Sequence, residues 1–193
     1  MSPTLFTTVY AHPLITAPEY ARIADAHFRG EIRKGEVLLP QGKVAPAYWL
    51  IESGLVRKYV HGPEGNEITT RFCAGGEFAI VVQSFFHRVP SLENVVAVTD
   101  TVAWRIDYAA FQELFAASEG FREWGRNWMS GQLFISEQYA LNFLTKSATE
   151  RYLDLLRERP DVVRSATLKH IASYLGVTDS SLSRIRKEVA AAK

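Results

Sequence analysis

The feature that most restricts the fold is a change of texture at Tyr108. Before it, from Gly30 onward, short apolar runs alternate with glycine-bearing turns. The runs are residues 33–39, 48–51, 55–60 and 67–72, and the turns are Gln41-Gly42, Ser53-Gly54, Pro63-Glu-Gly65 and Gly75-Gly76. A further pair of runs, 94–98 and 101–106, is split by Thr99-Asp100. Strands this short, at nearly even spacing, indicate an antiparallel barrel or sandwich. Residues 78–86 break the alternation and read as a short helix or a loop over the barrel. After Tyr108 the apolar period becomes helical and stays so. The fold class is therefore α+β, with the two kinds of structure segregated along the chain.

Helical stretches flank the β region on both sides. Residues 14–29 are helix-like, with Pro18 suited to a first turn and Tyr20, Ile23, Ala24 and His27 on one face. Asp107 or Tyr108 opens a short helix through Phe115. A longer one is expected from about Glu119 to Asn142, with Phe121, Trp124, Trp128, Phe134 or Ile135, Tyr139 and Phe143 in a wide apolar stripe. These rings are too large to be left in water. The stripe can pack on the barrel, on a second copy of the same helix, or on both. Gly125 and Gly131 interrupt it, each costing about 1 kcal/mol of helix propensity relative to Ala. Residues 146–157 form another amphipathic helix, which Pro160 is expected to end. The expected units are 1–118, 119–143 and 144–193.

The last stretch carries the most specific motif. Leu168, Ile171, Ala172 and Leu175 make one apolar face. Gly176 stands where the chain must leave that helix, and Thr178 or Asp179 can cap the next one. There Leu182 and Ile185 point inward, leaving Ser180, Ser181, Ser183, Arg184 and Lys187 mostly outward. Two short helices with such a turn make a helix-turn-helix, and a short-polar, basic outer face suits base edges and phosphates. An ordinary helical hairpin with a solvated face is the plainer alternative. Charge supports the DNA-reading assignment. Residues 164–193 hold six basic and two acidic side chains, whereas residues 1–163 hold sixteen and nineteen. A basic end on a nearly neutral body is the electrostatic footprint of a nucleic-acid-binding module.

Several classes are set aside. No stretch approaches the roughly 18 uninterrupted apolar residues of a membrane span, and the N-terminus lacks a signal-peptide pattern. A soluble, cytoplasmic protein is expected. Cys73 is the single cysteine, which leaves no disulfide, no CxxC zinc site and no four-thiolate cluster. No Ser-His-Asp order, phosphate loop or paired-acid motif stands out, so no enzyme is expected. One competing assignment is a small-molecule or metal-binding barrel with a vestigial tail, whose candidate ligands are His61, His87, Glu77 and Glu67. They lack the His-x-His spacing of a jelly-roll metal site, and no metal is expected. A haem sensor using His12, His27 or His87 is another.

The order of parts now has a counterpart. Arg33-Lys-Gly-Glu, Trp49-Leu-Ile-Glu-Ser-Gly54, Gly76-Glu-Phe78 and Ile171-Ala-Ser-Tyr-Leu-Gly-Val-Thr178 with Leu182-Ser-Arg-Ile185 resemble the Crp/Fnr family of bacterial transcription regulators over nearly the whole chain. The resemblance implies a double-stranded β-helix (a β-roll of the cyclic-nucleotide-binding type), a long dimerisation helix and a small C-terminal helix-turn-helix. It implies a homodimer through Trp124, Trp128, Ile135 and Tyr139, reading two halves of a palindrome in double-stranded DNA, with RNA polymerase as a further partner. Two-fold symmetry would place the reading helices about 34 Å apart. The expected DNA contacts are Lys169, Thr178, Asp179, Ser180, Ser181, Ser183, Arg184 and Lys187.

The same resemblance places a small effector, such as a cyclic nucleotide, at Gly76, Glu77, Phe78, Arg88 and Ser91. Relatives that bind cyclic AMP carry an Arg-Ser or Arg-Thr pair where this chain reads Pro90-Ser-Leu-Glu93. Without that cationic fork a desolvated phosphate lacks its bidentate partner. Cyclic AMP is therefore not the expected ligand, unless Arg88 substitutes. Such relatives also open the reading helix with Arg-Glu, against Asp179-Ser180 here, so a different operator is expected. The sequence stops at Lys193, so the β-wing of many relatives is expected to be absent, which predicts modest affinity and a shallow salt slope.

Overall fold

The computed structural model describes residues 3–191; Met1, Ser2, Ala192 and Lys193, which the sequence-based view of the two ends includes, lie outside it. Two helices come first, α1 (Pro3–Val9) and α2 (Ala17–Asp25). The strands follow as β1 (Phe28–Ile32), β2 (Val37–Leu39), β3 (Ala47–Ser53), β4 (Val56–His61), β5 (Glu67–Cys73) and β6 (Phe78–Ala79). After α3 (Val82–His87) come β7 (Asn94–Ala97) and β8 (Thr101–Asp107). The remainder is helical: α4 (Tyr108–Ala117), α5 (Glu119–Thr145), α6 (Ala148–Glu158), α7 (Pro160–Ser165), α8 (Leu168–Tyr174) and α9 (Asp179–Ala191).

The strands form two antiparallel four-stranded sheets, ordered β1-β8-β3-β6 and β2-β7-β4-β5. This is the β-roll. Leu50, Ile51, Val56, Cys73, Val95 and Ile106 meet between the sheets. Gly54 makes the β3–β4 turn at φ +97°, and a Cβ there would sit 2.5 Å from Thr101 Oγ1. Only glycine meets both conditions.

Two expectations fail at helix ends. Residues 14–29 do not form one helix: α2 ends at Asp25, and Phe28 already pairs with Arg105 of β8. His27 shares a helical face in sequence but lies beyond the end of α2. Its Nδ1 donates to Ile23 O at 2.6 Å, and its Nε2 faces Tyr10 Oη at 2.9 Å. Since Nδ1 carries the proton, Tyr10 donates to Nε2, and Tyr48 in turn donates to Tyr10 at 3.0 Å. Burial holds the imidazole neutral, with its pKa lowered to about 4. Pro160 does not merely end α6; it occupies the first turn of α7, where its missing N–H costs nothing.

The long helix begins in the barrel. Ser118 caps it, accepting from Phe121 N at 3.0 Å and donating to Glu19 Oε1 at 2.5 Å. Trp124 is buried: its Nε1 donates to Val9 O at 2.9 Å and its ring lies 4.4 Å from that of Tyr10. Trp128 is half-buried, 5.5 Å from the Phe78 ring. These two side chains seat α5 on the barrel, one of the packings the stripe left open, and Trp124 has no outer surface left for the dimer contact that the resemblance implied. Ile135 and Tyr139 do lie on the exposed half.

Helices α6–α9 build a second core from Tyr152, Leu155, Val162, Ile171, Leu182 and Ile185, which takes in Leu55, Phe72 and Val98 of the barrel. The C-terminal helices thus sit against the barrel. Ser173 accepts from Thr69 N at 3.2 Å, and the Tyr174 ring stands on Phe72 at 5.3 Å. Arg159 of the α6–α7 corner reaches Glu77 at 2.8 Å.

Candidate functional site

Two regions can do chemistry of recognition: the α8–α9 corner and a cavity in the barrel. At the corner, Thr167 caps α8 by accepting from His170 N at 3.2 Å. The helix closes with paired bonds, Gly176 N to Ser173 O at 3.2 Å and Val177 N to Ala172 O at 3.0 Å, around Gly176 at φ +68°. A Cβ on Gly176 would lie 2.6 Å from the Phe143 ring, so the tight turn also seats on α5. Arg151 fixes the same corner from α6, donating to Leu175 O at 2.8 Å while its guanidinium lies over Phe143. Nothing in the sequence marked Arg151, because its partners are backbone oxygens.

Thr178 accepts from Ser181 N at 3.2 Å and so caps α9, and its hydroxyl meets those of Ser180 and Ser181 at 3.0 and 2.9 Å. Leu182 and Ile185 are buried. Asp179, Ser180, Arg184 and Lys187 are exposed and Ser183 is half-exposed, with Arg184 only loosely paired to Glu188 at 3.9 Å. Lys169 is exposed on α8. Arg186, absent from the sequence-based set, is exposed as well.

The barrel cavity, of about 390 Å³, opens between β4, β5, α3 and α5. Phe78 and Ser91 line it. Gly76, Glu77 and Arg88 do not, which corrects the expected pocket. Gly76 forms the turn before β6, at φ +85°. Glu77 turns back to accept from Ala74 N and from Arg159, each at 2.8 Å. Arg88 closes α3 instead of facing a ligand: it donates to Ala45 O at 2.6 Å and stacks over the Tyr108 ring at 4.1 Å. The polar groups in the cavity are others. Lys58 pairs with Glu93 at 2.7 Å, Thr70 donates to Glu93, and Arg71 donates to Gln132 Oε1 of α5 at 2.7 Å. Lys58 and Arg71 were legible only as alternate polar residues of strands. A second cavity, of about 530 Å³, lies between α3, α4 and α5 and is walled by aromatic rings, among them Phe86, Phe111 and Phe115.

The metal and haem alternatives find little geometry. His61 and Glu67 are register partners on β4 and β5, but Glu67 is held by Arg57, and His87 lies on α3. Among the described residues no group of three or more His, Cys, Asp or Glu stands close enough to hold a metal ion. His27 has both ring nitrogens engaged, and His12 accepts from Leu14 N at 3.3 Å. Burial pushes the Cys73 thiol up to about 11, so it stays protonated. No helix among the described residues is long and apolar enough to cross a membrane.

Residues 29–118, which hold nearly all of both sheets and the barrel side of the cavity, match the cyclic nucleotide-binding domain family. Among curated proteins, a cAMP-dependent protein kinase regulatory subunit from Blastocladiella emersonii is 26% identical over 97 residues, half of this chain and 24% of that protein's length. FixK2 from Bradyrhizobium japonicum superposes with a TM-score of 0.73 at 19% identity, over 86% of this chain and 85% of its own. A transcriptional regulator assigned to the Crp/Fnr family from Eubacterium rectale superposes at 0.72 with 19% identity, over 94% of this chain and 88% of its own. The chain shares its fold with these two proteins.

Proposed function

We propose that this Crp/Fnr-type chain is a sequence-specific DNA-binding transcriptional regulator that works as a homodimer in the cytoplasm, with the barrel as sensor and residues 144–193 as reader. The observation that carries this is the outer face of α9. Ser180, Ser183, Arg184 and Lys187 turn outward while Leu182 and Ile185 anchor the helix. In this assignment α8 and α9 form a helix-turn-helix, Arg184 takes a guanine edge or a phosphate, and Lys169 and Lys187 take phosphates. Residues 119–143 link the units. The exposed apolar side chains of α5 support pairing with a second copy, and RNA polymerase is the expected downstream partner. The effector is a small molecule other than cyclic AMP, and no catalytic step is assigned to the chain.

Fluorescence anisotropy against duplexes selected from a random pool tests this. A palindromic consensus bound at moderate salt, with at least tenfold loss in Arg184→Ala, is expected. Binding that is uniform across sequences, or absent with and without ligands, would remove the assignment.

A further inference from the structure

The barrel cavity carries a charge imbalance that its own residues leave open. Lys58 and Arg71 are register partners on β4 and β5, so two cations stand side by side at the cavity wall. Like charges directly opposite one another weaken strand pairing. One carboxylate answers them. Glu93 takes Lys58 at 2.7 Å and accepts from Thr70, and another Lys58 donor goes to Ile80 O at 3.0 Å. Arg71 is left with a neutral acceptor, Gln132 Oε1 of α5. Among the described residues no carboxylate pairs with it. Lys58, Arg71 and Glu93 are the charged residues of the lining, which therefore holds one uncompensated positive charge. Phe78, Ile80, Val82, Leu92 and Trp128 supply an apolar wall.

We propose that this cavity binds a small organic monocarboxylate with an apolar body. Its carboxylate pairs with the Arg71 guanidinium, and its body lies against Phe78, Ile80 and Trp128. The inference deepens the sensor assignment above and rests on it for its regulatory meaning, though not for its chemistry. A planar guanidinium fork matches a carboxylate in shape as well as charge. The volume of about 390 Å³ falls at the small end of ligand cavities, which run from about 300 to 1,000 Å³. Because Arg71 now holds Gln132, a carboxylate arriving at Arg71 meets α5 as well as the barrel.

Calorimetric titration of the full chain with 3-phenylpropionate and with octanoate tests the proposal, with 3-phenylpropionamide and cyclic AMP as the uncharged and phosphodiester comparisons. Saturable binding of a carboxylate, at least tenfold tighter than of the amide or cyclic AMP, is expected. Arg71→Met should weaken it at least tenfold and Arg71→Lys by less. Val82→Trp, which fills the cavity from the α3 side, should abolish it, and thermal melts establish that each variant is folded. No heat with either carboxylate, equal affinity for acid and amide, tighter binding of cyclic AMP, or affinity unchanged in both Arg71→Met and Val82→Trp would overturn the proposal. DNA anisotropy on the same samples separates the two ideas. Carboxylate binding by a protein that ignores DNA leaves the ligand class standing and removes the regulator. Specific DNA binding without carboxylate heat does the reverse.

Discussion

The two halves of α5 carry similar side chains and meet opposite surroundings. From Phe121 to Trp128 the aromatic rings are buried or half-buried against α1, β6 and α4. From Met129 onward the apolar residues face outward: Leu133 is 62% exposed, Phe134 61% and Leu144 81%. An exposed apolar series of this kind marks a contact with another molecule more often than a tolerated accident. Helical periodicity records that a face is apolar. It does not record what covers it.

The sharpest way to break this contrast is Trp124→Ala. It removes a buried ring and the bond to Val9 O, and should cost about 3–5 kcal/mol, read as a large drop in the chemical-denaturation midpoint. If Trp124 instead served an outer dimer face, the loss would appear in sedimentation and not in monomer stability. Next comes pH, which acts on the same buried half. Because the pKa of His27 is lowered to about 4 when folded, the unfolded chain binds the proton more readily. Its contribution is complete above about pH 6.5 and is lost as pH falls towards 4, by about 3 kcal/mol. His27→Gln should flatten the slope of stability between pH 7 and pH 5. An unchanged slope would place the acid sensitivity elsewhere.

Gly176→Ala probes the far end of the exposed half, where the α8–α9 turn rests on Phe143. Strain at φ +68° and a 2.6 Å approach to that ring should together cost about 1–3 kcal/mol. Phe143→Ala in the same chain should recover part of it, leaving the conformational share. The smallest change in stability is expected from Leu133→Ser with Phe134→Ser, within about 0.5 kcal/mol each for the isolated chain. Its effect should be on sedimentation, shifting dimer to monomer. A dimer that survives both would move the interface off this face.

Much of the barrel was legible because its turns need residues that report themselves. Gly54 and Gly76 mark chain reversals, and the runs between them have strand length. The stripe of α5 was legible as apolar, but which of its rings the barrel covers was not, because the covering surface comes from Val9, Tyr10 and Phe78, far away in sequence. The cavity was misread for the same reason. Glu77 and Arg88 sit in a recognisable segment, yet Arg159, Ala45 and Tyr108 claim them, and none of those lies within thirty residues of its partner except Tyr108. The short end of α2 was missed because Phe28 answers to β8, a pairing no local pattern announces.

The chain of hydroxyls from Tyr48 through Tyr10 to His27 has a head and a tail, and that makes its members unequal. Tyr48 sits at the head: in Tyr48→Phe, Tyr10 still passes its proton to His27, and only a lone pair goes unused. Tyr10 sits in the middle: in Tyr10→Phe, the imidazole is left with a bare nitrogen and Tyr48 with a proton and nowhere to send it. Two side chains that differ by nothing in kind, and hardly in burial, therefore differ in how far the molecule can do without their oxygen.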